Sequence, residues 1–206
     1  MAALDRRGLI GGGLALPLIL TAGPALALAP VTAADMRIGP DRARVTMIAY
    51  VSAACPHCAH WFAEVYPVLK TRYVDTGKLR LVLREMVTDP TVLAIGGAML
   101  ARCIGSGQRY ADALAAVFKD QARIYEEGDL KPGMLRVGAQ FGLSEDQVMS
   151  CIGSEDGFNA LKSRLTQNAA DGVNYSPTIF VNGVKLDDPN LAPVTAAVDK
   201  ALRRRR

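Results

Sequence analysis

The chain has 206 residues, of which 50% are apolar, and a formal net charge of +4. A chain of this length and composition can bury the core of one domain, or of one domain that carries an insertion. The modest charge, and the lack of a basic stripe interleaved with aromatic residues, exclude a typical nucleic-acid-binding protein. Aromatic residues are few and alanine is plentiful, which favours helices over an all-β design.

The first 29 residues have the pattern of an export signal. The pair Arg6–Arg7 precedes an uncharged apolar stretch, residues 8–23, and small residues then alternate up to Ala29. Cleavage after Ala27 or after Ala29 fits this pattern, and both a Sec and a twin-arginine route remain open. The apolar stretch is shorter than the roughly 20 residues of a membrane-spanning helix. We therefore expect residues 30–206 to form the mature domain outside the cytoplasm, where disulfides are permitted.

A strand, a helix and a second strand are predicted next. A short polar stretch, residues 33–42, leads to the nearly unbroken apolar run Val45–Val51, which is typical of a strand buried on both faces. Residues 55–75 repeat apolar side chains at helical spacing, and Pro67 is expected to kink this helix. Lys78–Met86 alternates leucines with polar residues and predicts the second strand. This order predicts a right-handed, parallel βαβ unit.

The rest of the chain divides into a helical block and a short αβ end. Residues from about 91 to 170 are rich in alanine and leucine and are interrupted at glycine and proline positions, which predicts four or five helices. Thr178–Val181 and Val184–Leu186 then predict the two strands of a hairpin around Asn182–Gly183. A final helix is expected over residues 191–206.

Cys55-Pro56-His57-Cys58 lies at the junction of the first strand and its helix. Two cysteines three positions apart form a dithiol that can close into a disulfide. The free N–H groups and the positive dipole end of the helix stabilise a thiolate at the first position, and the thiolate is the reactive species. This predicts Cys55 as the nucleophile and Cys58, one turn further and more buried, as the resolving thiol. His57 is placed to strengthen that stabilisation, with a solvated loop histidine as the alternative.

The element order is that of a thioredoxin fold with an inserted helical domain, and the chain resembles the DsbA family of periplasmic dithiol oxidases. The resemblance rests on the motif at residues 55–58, on the helical block, and on Tyr175-Ser176-Pro177-Thr178 before the third strand. It implies an α/β, monomeric enzyme of the periplasm of a Gram-negative bacterium, with neither a metal nor another cofactor. Such an enzyme passes its disulfide to unfolded exported proteins and is reoxidised by a membrane, quinone-linked partner of the DsbB type.

The resemblance also assigns roles around the sulfurs. It places Pro56, His57, Ser176 and Pro177 where they tune the redox potential and line the substrate groove. It further implies a cis bond at Pro177, although the base rate of proline bonds favours trans.

One position departs from the resemblance. The well-known relatives carry a buried acidic residue on the first strand, where this chain has Ala49. That carboxylate helps to relay the proton of the inner thiol. Glu85, at the end of the second strand, is a candidate substitute unless it is exposed.

Two further cysteines and one histidine lie outside the motif and its surroundings. In an exported protein, Cys103 and Cys151 most economically form a structural disulfide, which resembles a subset of alphaproteobacterial relatives; two buried free thiols are the alternative. Closing this loop is expected to contribute roughly 4 kcal/mol by the chain-entropy model. His60 is expected to be exposed, because it lies on a different face of the helix from the dithiol.

Two other functions compete with the oxidase interpretation. A disulfide isomerase or reductase is the first, but such proteins commonly dimerise through an additional N-terminal domain, for which few residues are available here. Copper handling is the second, because two thiolates suit Cu(I). No cluster of methionine or histidine accompanies the two cysteines in the sequence, which argues against it.

Overall fold

The computed structural model describes residues 28–204, which form a five-stranded sheet covered by helices. The predicted signal segment, up to residue 27, lies outside the described residues. In chain order the strands are β1 (Met36–Ile38), β2 (Val45–Val51), β3 (Leu79–Glu85), β4 (Thr178–Val181) and β5 (Val184–Lys185). Their order in the sheet is β1-β3-β2-β4-β5. Between residues 28 and 204, no helix has the length and apolar character needed to cross a membrane.

The central strand is β2, which has a partner on each side. It pairs in parallel with β3, from Val45 opposite Leu79 to Val51 opposite Glu85, so the predicted βαβ unit is confirmed. It pairs antiparallel with β4. All but one of its residues are buried, as expected for a strand covered on both faces.

The polar stretch before β2 contains a strand that the sequence pattern does not predict. β1 pairs antiparallel with β3 at the edge of the sheet. Only Met36 and Ile38 turn their side chains into the core. Two inward side chains are too few to produce a recognisable alternation in the sequence.

The predicted single helix after β2 is divided into three segments. They are α1 (Pro56–Glu64), α2 (Tyr66–Leu69) and a π-helical turn (Lys70–Val74). Pro67 lies at the start of α2, where its missing N–H removes a helical hydrogen bond and the chain departs from α1. The π-helical turn is a correction to the prediction of a regular helix that is only kinked.

Five helices form the insertion between β3 and β4. They are α3 (Thr91–Ile104), α4 (Gln108–Glu127), α5 (Leu130–Gln140), α6 (Glu145–Ile152) and α7 (Glu155–Ala170). The rings of Phe118 on α4 and Phe62 on α1 have centroids 4.7 Å apart. Gly97 on α3 lies so close to the loop before α1 that a Cβ there would come within 2.6 Å of the Cβ of Ala53. The insertion is therefore packed directly against the start of α1.

The end of the chain follows the prediction closely. Asn182 and Gly183 both have positive φ angles, 47° and 80°, and form the tight turn between β4 and β5. β5 is one residue shorter than predicted, and it is followed by α8 (Leu191–Arg203). The thioredoxin fold with an inserted helical domain is confirmed.

A disulfide joins Cys103 on α3 to Cys151 on α6, with Cα atoms 5.7 Å apart. Both residues belong to the insertion, and the bond links helices separated by α4 and α5 along the chain. It therefore cross-links the insertion internally and does not tie it to the sheet.

We expect the double variant Cys103→Ala/Cys151→Ala to fold but to be less stable. Removing a cross-link over a loop of this length relieves the restriction on the unfolded chain, and this should lower the free energy of unfolding by roughly 2–4 kcal/mol. Urea unfolding of the two proteins, with the other cysteine pair held in the same redox state, measures the difference. An unchanged midpoint would show that the bond does not stabilise the fold.

Candidate active site

The two cysteines of the motif lie at the first turn of α1. Cys55 is the N-cap residue, with extended backbone angles, and Pro56 follows as the first helical residue. Proline suits this position because its missing N–H would have no helical acceptor. The cysteines are not bonded to each other, so the structure shows the dithiol form. Cys58 is fully buried and Cys55 is 6% exposed, as the sequence predicts, whereas His57 and His60 are exposed.

The segment before β4 meets Cys55 although it lies far away in sequence. The peptide bond between Ser176 and Pro177 is cis. The thiol of Cys55 donates to the carbonyl oxygen of Ser176 at 3.3 Å. Antiparallel pairing of Thr178 with Tyr50 places this segment beside the carboxyl end of β2, which leads into the motif.

Asp171, at the end of α7, holds the chain before this segment in place. Its carboxylate accepts from the hydroxyl of Tyr50 at 2.6 Å and from the guanidinium of Arg84 at 3.0 Å. Arg84 is almost fully buried and also binds Asp35. A buried charge is stable only when it is paired and hydrogen-bonded in this way. This network links β2, β3 and the segment that reaches Cys55.

The surroundings of Cys55 favour its thiolate. Its pKa is lowered from 9.0 to about 5, chiefly because the thiol of Cys58 donates a hydrogen bond to it. Burial opposes this shift. The hydroxyl of Ser176 and the backbone N–H groups of Cys58 and His57 lower the pKa further. These N–H groups belong to the first turn of the helix, where they have no helical acceptor.

Cys58 shows the opposite behaviour. Burial raises its pKa well above the ordinary value, and the hydrogen bond to Cys55 and the charge of Cys55 raise it further. The pair therefore holds one thiolate and one thiol. This asymmetry suits a nucleophile at the surface and a resolving thiol beneath it.

The position of the missing acidic residue is apolar in three dimensions as well. Ala49 is fully buried in β2. Glu85 is buried, not exposed, and its carboxylate binds Arg102 and, at 3.3 Å, Arg164. Besides Cys55, the groups that shift the pKa of Cys58 most are the Ser52 backbone and the Ser176 hydroxyl. The suggestion that Glu85 relays the proton of Cys58 is therefore not supported, since two arginines of the insertion occupy its carboxylate.

No sequence motif identifies the residues that hold the loop before Cys55. The Ser52 carbonyl accepts the N–H of Cys55 at 3.0 Å, and the Ser52 hydroxyl lies 2.9 Å from that of Thr88. Gln121 and Tyr125 of α4 also bind this loop. A polar position within an otherwise apolar helix face is the one available sequence signal for Gln121.

Within the described part of the chain, histidine, cysteine and acidic side chains form no group of three or more that could hold a metal ion.

A family model described as thioredoxin matches residues 31–200. The chain belongs to the thioredoxin family. Two similar members are Rickettsia proteins named as protein-disulfide oxidoreductases. The one from Rickettsia conorii is 29% identical over 170 residues, covering 82% of this chain and 60% of that protein. The one from Rickettsia prowazekii is 29% identical, covering 82% and 61%. The chain thus spans less than two thirds of these thioredoxin-family relatives.

Solved structures of the thioredoxin family place the chain among DsbA-like proteins. Wolbachia pipientis α-DsbA1 superposes with a TM-score of 0.77 at 26% identity, covering 86% of this chain and 94% of that one. A protein-disulfide isomerase from Novosphingobium aromaticivorans has a TM-score of 0.69 at 18% identity, covering 82% and 97%. The second likeness concerns the fold alone. The predicted resemblance to the DsbA family is confirmed.

We expect the reduced protein to show one thiol that ionises with a midpoint near pH 5. The thiolate absorbs near 240 nm, so a pH titration reports it directly. Cys55→Ser should abolish the transition, since Cys58 stays protonated in this range. A midpoint near 9.0 in the unchanged protein would contradict the thiolate assignment.

Ionisation of Cys55 should also make the stability of the reduced form depend on pH. Its thiol ionises near pH 9.0 when unperturbed and near 5 in the fold, so the unfolded chain binds one more proton between these values. The free energy of unfolding should rise with pH across this window, by at most about 1.4 kcal/mol per pH unit. The stability that the thiolate adds is lost as the pH falls towards 5. Urea unfolding of the reduced and oxidised forms should give curves that diverge as the pH increases. Parallel curves would exclude the effect, because the oxidised form has no titrating Cys55.

Proposed function

We propose that the protein is a thiol:disulfide oxidase of the periplasm, which transfers the Cys55–Cys58 disulfide to exported proteins. The observation that carries the proposal is the position of Cys55 at the N-terminus of α1, above the fully buried Cys58, which lowers the pKa of Cys55. A stabilised thiolate lowers the free energy of the reduced enzyme, so electrons flow from client thiols into the pair. The names of the Rickettsia relatives and of Wolbachia α-DsbA1 support disulfide chemistry of this kind.

The reaction begins on the oxidised enzyme. A client thiolate attacks the sulfur of Cys55, a mixed disulfide forms, and the bond between Cys55 and Cys58 breaks. Cys58 leaves with the electron pair and takes up a proton, which its raised pKa favours. Cys55 is the sulfur that is attacked because Cys58 is fully buried.

A second client thiolate then attacks the client sulfur of the mixed disulfide. Cys55 leaves as a thiolate, and its lowered pKa makes it a good leaving group. The client gains a disulfide and loses two electrons, and the enzyme becomes the dithiol. A membrane partner linked to quinones would return it to the oxidised form.

The lowered pKa of Cys55 accounts for part of the difference in redox potential between an oxidase and a reductase. Strongly oxidising and strongly reducing members of the thioredoxin family differ by about 150 mV, or roughly 7 kcal/mol for two electrons. One pKa unit corresponds to about 1.4 kcal/mol. The nucleophilic thiol of thioredoxin has a pKa of about 7, so a pKa of about 5 at Cys55 accounts for roughly 3 kcal/mol of that difference.

The remaining parts of the proposal concern the surroundings of the enzyme. It acts as a monomer on unfolded clients, and the segment around Ser176 and Pro177 forms one wall of the groove that receives them. Pro56 and His57 are exposed beside the sulfurs and complete the contact surface.

Equilibration with glutathione buffers tests the direction of the reaction. Trp61 lies one turn beyond Cys58, is 2% exposed and serves as the fluorescent reporter of the redox state. We expect a potential well above the value of about −270 mV that is typical of thioredoxin. A potential near that value would make the protein a reductase.

Activity on a protein substrate separates the remaining alternatives. The oxidised protein should introduce a disulfide into a reduced test protein in stoichiometric amounts, and Cys55→Ala should abolish this. Repair of a scrambled test protein by the reduced form, without net oxidation, would favour an isomerase. Stoichiometric copper in the purified protein would favour copper handling.

A further inference from the structure

The loop that leads into Cys55 is held from the insertion by two hydrogen bonds. The side-chain amide of Gln121 donates to the carbonyl oxygen of Ala53 at 2.8 Å. The hydroxyl of Tyr125 donates to the carbonyl oxygen of Ala54. The two donors are four residues apart on α4, so they lie on the same face, one turn from each other. One helix thus binds two consecutive carbonyls immediately before the nucleophile.

These two hydrogen bonds differ in kind from the other contacts between the insertion and the start of α1, which are apolar. The rings of Phe62 and Phe118 pack together, and Gly97 fits against Ala53. Gln121, by contrast, is a polar side chain that is 4% exposed. Burying an amide is unfavourable unless it is hydrogen-bonded. An apolar residue at this position would fill the space and leave the Ala53 carbonyl without its partner.

The carbonyls matter because of their charge. A carbonyl oxygen carries partial negative charge, which raises the energy of a nearby thiolate. Gln121 and Tyr125 direct both carbonyls towards α4, and they bring the positive ends of an N–H and an O–H bond to this side of Cys55. Burial and then the charge of Cys55 raise the pKa of Tyr125, so the phenol stays protonated and keeps the hydrogen bond that it donates to the carbonyl oxygen of Ala54.

We propose that Gln121 and Tyr125 are positioning residues, which stabilise the Cys55 thiolate by fixing the Ala53 and Ala54 carbonyls and thereby increase the oxidising power of the enzyme. The inference rests on the proposed function, because it concerns the same site. It gives the insertion a part in the redox chemistry. The insertion then acts on the dithiol through the backbone of the loop before Cys55.

The test uses Tyr125→Phe, Gln121→Met and the double variant. Phenylalanine keeps the ring of Tyr125 and removes only the hydroxyl, and methionine keeps the length of Gln121 without its donor. Each single change should raise the ionisation midpoint of Cys55 and make the protein less oxidising. The equilibrium constant with glutathione should change by up to about threefold to tenfold for each hydrogen bond lost, the upper value holding if the bond stabilises only the reduced form.

Tyr73→Phe is the matched control. Its partly buried hydroxyl donates to Asp199 at 2.9 Å, in the π-helical turn and away from the motif. We expect it to lower the free energy of unfolding of the oxidised form at least as much as Tyr125→Phe does, because its hydrogen bond is to a carboxylate. It should leave both the ionisation midpoint and the glutathione equilibrium unchanged.

Two outcomes would overturn the proposal. One is a Tyr125→Phe protein with the original midpoint and equilibrium constant. The other is a loss of stability in the Tyr125 and Gln121 variants with no change in the ionisation midpoint or the glutathione equilibrium. If Gln121→Met does not fold, Tyr125→Phe still decides, because Tyr125 is 37% exposed and its ring is retained. If the unchanged protein proves to be a reductase, the proposed function fails, but the comparison between variant and unchanged protein still tests the role of the two residues.

Discussion

Burial of one sulfur beneath another, at the start of a helix, is the constraint on which the site depends. Cys58 has no exposed surface, so it keeps its proton, and that proton forms the strongest hydrogen bond to Cys55. A second negative charge so close to the first would be costly in a buried environment, and a fully protonated pair would leave the free N–H groups of α1 without an anion. The pair therefore carries one charge, and it carries it on the accessible sulfur.

The fold brings three distant segments to this charge. β2 is the central strand, so its carboxyl end is flanked by the residues that follow β3 and by those that precede β4. Thr88 lies on one side and the Ser176–Pro177 segment on the other. α4 approaches from the insertion. Each segment supplies hydrogen bonds to the motif or to the loop before it, and the network around Arg84 and Asp171 holds the last strand connection in place.

Replacement of the usual acidic residue by Ala49 leaves the inner thiol with few polar neighbours. Glu85 is not among the groups that shift the pKa of Cys58 most, and its carboxylate is bound by Arg102 and Arg164 of the insertion. These ion pairs instead link β3 to α3 and α7. The groups that lower the pKa of Cys58 are the Ser52 backbone and the Ser176 hydroxyl.

The sequence alone determined the elements that depend on local patterns. The apolar run of β2, the helical spacing after Cys55 and the Asn182–Gly183 turn each follow from side-chain periodicity or backbone preference, and they sufficed for the order of the fold. The N-terminal position of Cys55 on its helix already favoured a thiolate. β1 was not predicted, because a strand of three residues is too short to show an alternating pattern. The π-helical turn was not predicted, because Pro67 indicates a kink but does not specify how the chain continues after it.

Tertiary structure decided what lies around the sulfurs. The contacts of Ser176 with Cys55, of Gln121 with Ala53 and of Tyr125 with Ala54 join residues about 70 to 120 positions apart, and no local pattern encodes them. The ion pairs of Glu85 with Arg102 and Arg164 likewise depend on how the insertion packs against β3. Side-chain periodicity reports only that a residue is buried; which atoms it meets there is fixed by how the sheet and the insertion pack, because hydrogen bonds need specific distances and directions.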